Sequence, residues 1–171
     1  SKPAKRTALG RFKHEGAMVT LAADSRIVVY MGDDERFEYI YKFVSRDRHK
    51  PGERAANRDL LDHGTLYAAR FDDNGSGRWL ALEGADALIR TRRAADRAGA
   101  TKMDRPEWVA VHPATKDVYV TLTNNTSRGA KDQPGTDLVN PRPNNVFGHI
   151  VKWREDGGDP AASAFGWDHF V

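Results

Sequence analysis

Apolar residues along this chain come in short runs that predict β-strands. The clearest run is 118–123, where valine or leucine occupies every second position, the pattern of a strand with one buried face. Turn-forming residues such as Asp73-Asn74-Gly75 separate the runs. The predicted strands are 17–21, 27–31, 37–44, 65–71, 79–82, 108–112, 118–123 and 149–153. Strands this short and frequent indicate an all-β, antiparallel protein.

Only one segment has a helical pattern. Residues 85–98 are rich in Ala, Leu and Arg, carry Asp86 in the expected first turn and stop at Gly99. Two other stretches, 46–64 and 126–147, have no periodicity and are predicted to be long loops. Loops of this length in a compact domain are usually functional or poorly ordered.

The chain also contains an internal repeat. Each copy begins with a glutamate, runs through two apolar segments joined by a short turn, and closes on a pair of carboxylate or amide side chains. The first copy is 15–34 and the second is 107–125, and the segments that follow them, 64–73 and 148–157, resemble each other as well. An antiparallel unit of about four strands repeated in series indicates the blades of a β-propeller.

The repeat therefore predicts about two blades of a larger propeller. We expect a first blade-like unit at 1–83, a helical connection at 84–104 and a second unit at 105–171. A propeller ring needs about four blades or more. The chain is thus expected to be a segment of a longer protein, or to cover its open sheet edges with a second copy. A two-layer β-sandwich with accidental similarity is the alternative fold.

Composition excludes several classes of protein. The 171 residues are 39% hydrophobic, and no run approaches the roughly 20 apolar residues of a membrane span. The 27 basic and 24 acidic residues are interspersed, so no face is expected to bind nucleic acid. The absence of cysteine excludes disulfides and a cysteine nucleophile. The first residues lack the apolar stretch of a signal peptide.

The repeated glutamates predict a metal site. Glu15 and Glu107 occupy the same repeat position, so both are expected at the same end of the channel. Converging carboxylates repel unless a cation lies between them, and an all-oxygen ligand set suits Ca²⁺ or another hard ion. The strand-end pairs offer four further oxygen ligands: Asp33, Asp34, Asn124 and Asn125. Such pairs are also ordinary turn formers.

The tripeptide Arg105-Pro106-Glu107 predicts a phosphate contact. Proline keeps the chain extended, so Arg105 and Glu107 point the same way, and a guanidinium beside a metal-binding carboxylate offers planar donors to phosphate. An ordinary ion pair at a strand start is the alternative. His14 is either a metal ligand or a general acid, or else a residue that supports the ligands or is merely exposed. The chain has no glycine-rich phosphate loop, zincin helix or G-x-S-x-G elbow.

Several strings resemble the PhoX-type alkaline phosphatase family. They are LGRFKHEGA at 9–17, MDRPEWVAVHP at 103–113, VYVTLTNN at 118–125 and NNVFGHIVKWR at 144–154. The resemblance covers most of the chain but not its final residues. It implies a six-bladed propeller with iron and calcium at one end of the channel, in an enzyme that hydrolyses phosphate monoesters in the periplasm or outside the cell.

The resemblance also implies roles for individual residues. Glu107 would be a bridging metal ligand, Glu15 a second ligand, and Arg105 a contact to the substrate phosphate. The implied cofactors are Ca²⁺ and Fe³⁺. The family's iron site also uses a cysteine, which this chain lacks, and its later ligands and phosphate-binding lysine lie beyond the matched strings. We therefore expect an internal segment with an incomplete active site, partnered by the remainder of the propeller.

Two other functions stay open. The chain is alternatively a non-catalytic calcium-binding propeller module or a partner-binding fragment that uses the same face. A calcium lactonase-like hydrolase would share the architecture and some acidic ligands but would not require Arg105. Phosphate affinity at Arg105 would favour the phosphatase, and a metal without phosphate affinity would favour the module.

Overall fold

The computed structural model describes residues 3–171, which form nine strands and one α-helix. The strands are β1 (His14–Leu21), β2 (Arg26–Asp33), β3 (Ile40–Arg48), β4 (Gly64–Phe71), β5 (Ser76–Ala81), β6 (Pro106–Val111), β7 (Val118–Leu122), β8 (His149–Glu155) and β9 (Ala164–His169), and the helix α1 is Thr91–Ala98. In this part of the chain no helix has the length and apolar character needed to cross a membrane.

All nine strands belong to one antiparallel sheet, in the order β1-β2-β3-β4-β5-β9-β8-β7-β6. Strands β1–β4 and β6–β9 are two meanders of four strands each. Strand β5 joins them, because Gly77 pairs with Phe71 of β4 on one side and with Phe165 of β9 on the other. The predicted all-β, antiparallel fold of propeller-like blades is confirmed. The division of the chain into units at 1–83 and 105–171 stays a prediction.

The two ends of the sheet curl until they touch. Strand β6 packs against β1 and β2 at two glycines, Gly16 and Gly32. A Cβ atom on Gly32 would lie 2.6 Å from the carbonyl oxygen of Glu107 and 2.9 Å from that of Pro106. Only glycine permits so close an approach of two backbones. This contact brings the start of β6 next to the end of β2.

A buried ion pair joins the two meanders in the core. Lys42 of β3 lies 3.3 Å from the Glu155 carboxylate of β8, and both side chains are almost fully buried. Tyr30 and Trp79 donate hydrogen bonds to the same carboxylate, at 2.7 and 3.0 Å. Burial lowers the pKa of Lys42 to about 8 and raises that of Glu155. The apolar rings around the pair thus impose a desolvation cost that the hydrogen bonds offset.

The helix is shorter than the sequence predicted. It begins at Thr91 rather than at 85, and the residues before it form turns in which Ile89 and Arg90 donate to the Asp86 carbonyl. Ala87 is buried, but the larger side chains of Leu88 and Ile89 remain exposed, so a longer helix would gain little apolar burial there. The predicted end is correct, because Gly99 adopts the left-handed conformation that stops a helix.

The second long loop, 126–147, is mostly exposed but inserts a few side chains into the structure. It contributes an isolated bridge between Asn125 and Asn145, and it buries Arg128, Val139 and Asn140. Strand β9 was not predicted at all, although Phe165 and Trp167 alternate there with exposed residues.

Candidate active site

Two strand-end corners meet where β6 packs on β2. The first corner is Asp33-Asp34 at the end of β2, and the second is Asn124-Asn125 just after β7. An arginine next to each corner contacts a side chain of the other corner. Arg105 lies 3.0 Å from the Asp34 carboxylate of the first corner. In return, Arg36, which follows the first corner, donates to the Asn124 side chain at 3.2 Å. The site is therefore built from both halves of the chain.

Glu107 accepts two hydrogen bonds on one of its oxygens. Arg105 Nη2 donates to Oε1 at 2.8 Å, and the Thr123 hydroxyl donates to the same atom at 2.9 Å. Partial burial acts to raise the pKa of the Glu107 carboxyl, but these hydrogen bonds outweigh it and the pKa lies below its usual range. The Glu107 bond also raises the pKa of Arg105. Both groups are charged at neutral and alkaline pH.

The Arg105–Asp34 contact leaves hydrogen-bonding capacity unused. The Nε and Oδ1 atoms are 3.0 Å apart, yet both are buried and neither makes an aligned hydrogen bond. Buried polar atoms without a hydrogen bond are rare in folded proteins. Together with the second oxygen of Glu107, the Asp34 oxygen gives this corner two carboxylate atoms suited to a hard cation.

Asp33 contributes to the architecture behind the corner. Its carboxylate is fully buried and accepts two hydrogen bonds from Arg92 of α1, at 2.8 and 2.7 Å. It also accepts the backbone N–H of Lys13 at 3.2 Å. Both of its oxygens are thus engaged within the chain. The role of Asp33 as a metal ligand stays a prediction.

Asn125 has a similar structural position at the second corner. Its side-chain amide donates to the Asp104 carbonyl at 3.2 Å, and its Oδ1 accepts the Ser127 N–H at 3.1 Å. A backbone bridge to Asn145 completes its contacts. Its neighbour Asn124 is only partly buried and faces Arg36.

Glu15 lies on β1 and is exposed. The adjacent Gly16 touches the backbone of Glu107 and Trp108, so the two repeated glutamates lie on strands in contact. His14 stacks on Phe12, with ring centroids 3.7 Å apart, and its Nε2 lies 3.0 Å from the Gly10 carbonyl. This histidine therefore supports the local loop.

The carboxylates fit a metal only in part. Within residues 3–171, no three His, Asp or Glu side chains come together as a metal-binding group. Glu15, Asp34 and Glu107 supply oxygen atoms only, which suits Ca²⁺ or Fe³⁺ better than a soft metal. A complete coordination shell would need ligands in addition to these.

Sequence reasoning missed the residue next to Arg105. Asp104 is fully buried and pairs with Arg128, whose Nε donates to its Oδ1 at 2.7 Å. Asn145 donates to the other carboxylate oxygen at 2.8 Å. A carboxylate next to Arg105 could have been noted from the sequence. Arg128 could not, because it lies in a loop without periodicity.

Comparison with known proteins gave two matches. The family model described as "Alkaline phosphatase PhoX" matches residues 1–171. The solved structure of PhoX from Pseudomonas fluorescens in complex with vanadate, a transition-state analogue, is 51% identical with a TM-score of 0.94. That match covers 100% of this chain and 33% of the other, so the chain spans about a third of the length of the solved protein. The search of curated proteins gave no match.

Proposed function

This chain belongs to the PhoX family of alkaline phosphatases, and we propose that the protein containing it hydrolyses phosphate monoesters, with Arg105 and Glu107 in its active site. The observation that carries the proposal is the geometry of Arg105. Its guanidinium donates to Glu107 through Nη2 and forms an ion pair with Asp34 near Nε, and its side chain is 31% exposed. Nε is buried, so the remaining Nη donors are the ones left for a phosphate.

Arg105 binds and orients the phosphate in this proposal. A guanidinium offers parallel N–H donors that match two phosphate oxygens, and its charge cannot be lost at alkaline pH. Asp34 and Glu107 fix the direction of the fork before substrate arrives. Phosphoryl transfer depends mainly on such positioning and on neutralising the charge of the transferring group.

Glu15 and Glu107 would hold the metal, with Asp34 as a further oxygen ligand. Glu107 is suited to this because Arg105 and Thr123 both use Oε1, which leaves Oε2 for a cation. When bound, Ca²⁺ or Fe³⁺ would supply Lewis-acid stabilisation of the phosphoryl oxygens. Asp33, Asn124 and Asn125 lie at the same strand ends, and their roles as additional oxygen ligands stay predictions.

Three further features complete the proposal. The remaining metal ligands, including a cysteine, come from the remainder of the propeller. The substrate is a phosphate monoester, consistent with vanadate, an oxyanion like phosphate, in the 51% identical relative. The protein acts in the periplasm or is secreted.

Variants of Arg105 and Glu107 test the proposal in the full-length protein. Arg105→Ala should leave metal content nearly unchanged and lower kcat/KM for a phosphate monoester by a factor on the order of 100, the scale for losing one charge-stabilising donor. Arg105→Lys should recover part of the activity, since a point charge cannot replace the fork. Glu107→Gln should lower metal content and activity together.

Arg154→Ala is the control. Arg154 also pairs with a carboxylate, donating from Nε and Nη2 to Asp117 at 2.6 and 2.9 Å, but it lies at the far end of β8. This variant should keep full activity. Full activity of Arg105→Ala would disprove the phosphate role. A protein that binds Ca²⁺ but hydrolyses no phosphate monoester would instead be a non-catalytic module.

A further inference from the structure

Asp104 is held by hydrogen bonds at its backbone and at its side chain. It lies directly before Arg105 and is fully buried. Its N–H donates to Asn140 Oδ1 at 3.0 Å, and its carbonyl accepts from Asn125 Nδ2 and from the Phe37 N–H, both at 3.2 Å. Its two carboxylate oxygens accept from Arg128 Nε at 2.7 Å and from Asn145 Nδ2 at 2.8 Å. The backbone entering Arg105 is therefore fixed in place.

Arg128 is the charged member of this network. Only 2% of its surface is exposed, and all three guanidinium nitrogens donate within the chain. Its Nη2 donates to the Lys102 carbonyl at 2.8 Å, and its Nη1 donates to the Gly135 carbonyl at 3.1 Å. Its guanidinium carbon lies 5.1 Å from the centre of the Phe37 ring. The Arg128 side chain is too deeply buried to reach a substrate, so any effect on phosphate must act through its neighbours.

This network fixes the backbone before Arg105. The backbone at Arg105 itself is fixed by Thr123, the residue that follows β7. The Thr123 N–H donates to the Arg105 carbonyl at 3.0 Å. Arg128 clamps Lys102 and Asp104, just before Arg105. The backbone is therefore fixed both before and at Arg105, and this orients the Arg105 side chain toward Glu107 and Asp34.

We infer that Arg128, through Asp104, is a positioning residue that sets the phosphate affinity of Arg105. The inference rests on the proposed function and extends it to the 126–147 loop, which supplies Arg128, Asn140 and Asn145. Errors of about 1 Å in the position of a binding group can cost on the order of 100-fold in rate. Without Arg128, the backbone that positions Arg105 loses its hydrogen bonds to Arg128, although Arg128 itself makes no hydrogen bond to Arg105 or Glu107.

The core ion pair of Lys42 and Glu155 provides a matched control. Its side chains are as buried as those of Arg128 and Asp104. Its contacts, however, are to Tyr30, Trp79 and the carbonyls of Pro160 and Ala162, away from the site corners. Replacing the basic member of either pair leaves a buried carboxylate without its counter-charge and should destabilise the protein. Only one of the two should alter phosphate binding.

The test compares Arg128→Met with Lys42→Met in the full-length, metal-loaded protein. The probe is inorganic phosphate, measured as a competitive inhibitor, beside Tm, metal content and substrate kinetics. Both variants should lower Tm. Arg128→Met should weaken phosphate inhibition about 10-fold or more and raise KM, because the guanidinium of Arg105 is misplaced. Lys42→Met should leave the phosphate inhibition constant within about twofold of wild type. Arg128→Lys, which retains one charged donor to Asp104, should recover part of the phosphate affinity.

Asn140→Ala decides the matter if Arg128→Met does not fold. It removes the acceptor of the Asp104 N–H and a donor to the Lys102 carbonyl, and no charge. It should weaken phosphate inhibition several-fold. If Arg105→Ala weakens phosphate binding while the folded network variants bind like wild type, the inference is wrong and the proposed function stands. If Arg105→Ala also binds phosphate like wild type, the phosphate role of Arg105 fails and the inference fails with it.

Discussion

The two strand-end corners occupy the same place in the repeat but are stabilised differently. At the first corner, the buried carboxylate of Asp33 is balanced by the full charge of Arg92, which comes from α1. At the second, Asn125 is buried without a counter-charge, because an amide both donates and accepts. In each pair one residue is buried, and its neighbour contacts an arginine from the other half of the chain.

The difference shows how one repeat position can serve two purposes. Burying an ionised carboxylate is costly unless a cation lies beside it, and at the first corner Arg92 of the basic helix α1 supplies that charge. The neutral second corner needs no such partner, and a loop with its own amides completes it. The acidic character of the site is thereby concentrated in the residues that face Arg105, namely Asp34 and Glu107.

The largest expected effect comes from removing the buried charge of the first corner. Asp33→Ala should lower the free energy of unfolding by about 2–3 kcal/mol. That is below the roughly 3–5 kcal/mol for breaking a fully buried pair, because Arg92 is one-third exposed and can return to water. Denaturant unfolding would measure it. Asp86→Ala, which breaks only exposed ion pairs, should change stability by less than about 0.5 kcal/mol. Equal losses in the two variants would contradict the structural role of Asp33.

A smaller loss is expected at the neutral corner. Asn125→Ala leaves the Asp104 carbonyl and the Ser127 N–H short of one hydrogen bond each, which should cost about 1–2 kcal/mol. The same unfolding experiment applies, with Asn124→Ala as the control because that side chain is only partly buried. A loss larger than that of Asp33→Ala would reverse the comparison between the corners.

The smallest effect is a pH dependence confined to the first corner. Burial raises the pKa of Glu38, which lies 3.6 Å from Arg92, from 4.5 to about 7, and the charge of Arg92 offsets this only in part. The folded protein then holds a proton that the unfolded chain has lost. Stability from this group is complete below about pH 4.5 and disappears as pH rises to about 7.

Glu38→Gln should therefore flatten the stability profile between pH 5 and 7, by roughly 1 kcal/mol over that window after allowing for partial exposure. Unfolding free energies measured at several pH values would detect the change. The control is Glu53→Gln in the exposed loop after β3, which should leave the profile as in wild type. A Glu38→Gln profile with the wild-type slope would mean that Glu38 does not hold a proton in the folded state.

The sequence predicted features that depend on local order. Eight of the nine strands were found, because period-two alternation and turn residues are local signals. The repeat placed Glu15 and Glu107 on strands that do come into contact. Which member of each strand-end pair is buried was not predictable, since that depends on the register and twist of β2 and β7 against their neighbours.

Long-range contacts account for most of what was missed. Arg128 meets Asp104 across 24 residues of chain, and its loop has no pattern that marks the partner. Strand β9 was overlooked because a single Phe-Gly-Trp alternation is too short to stand out. The early start predicted for the helix followed helix propensity at 85–90, where Ala87 is buried but the larger side chains of Leu88 and Ile89 stay exposed.

Strand β5 has a consequence for how such a protein could have arisen by duplication. It lies in the first half of the chain, yet it also closes the second half by pairing with β9. A cut in the connection after β5 would separate the two partners and expose an edge on each product. A single repeat unit on its own would therefore lack one of the strand pairings seen here.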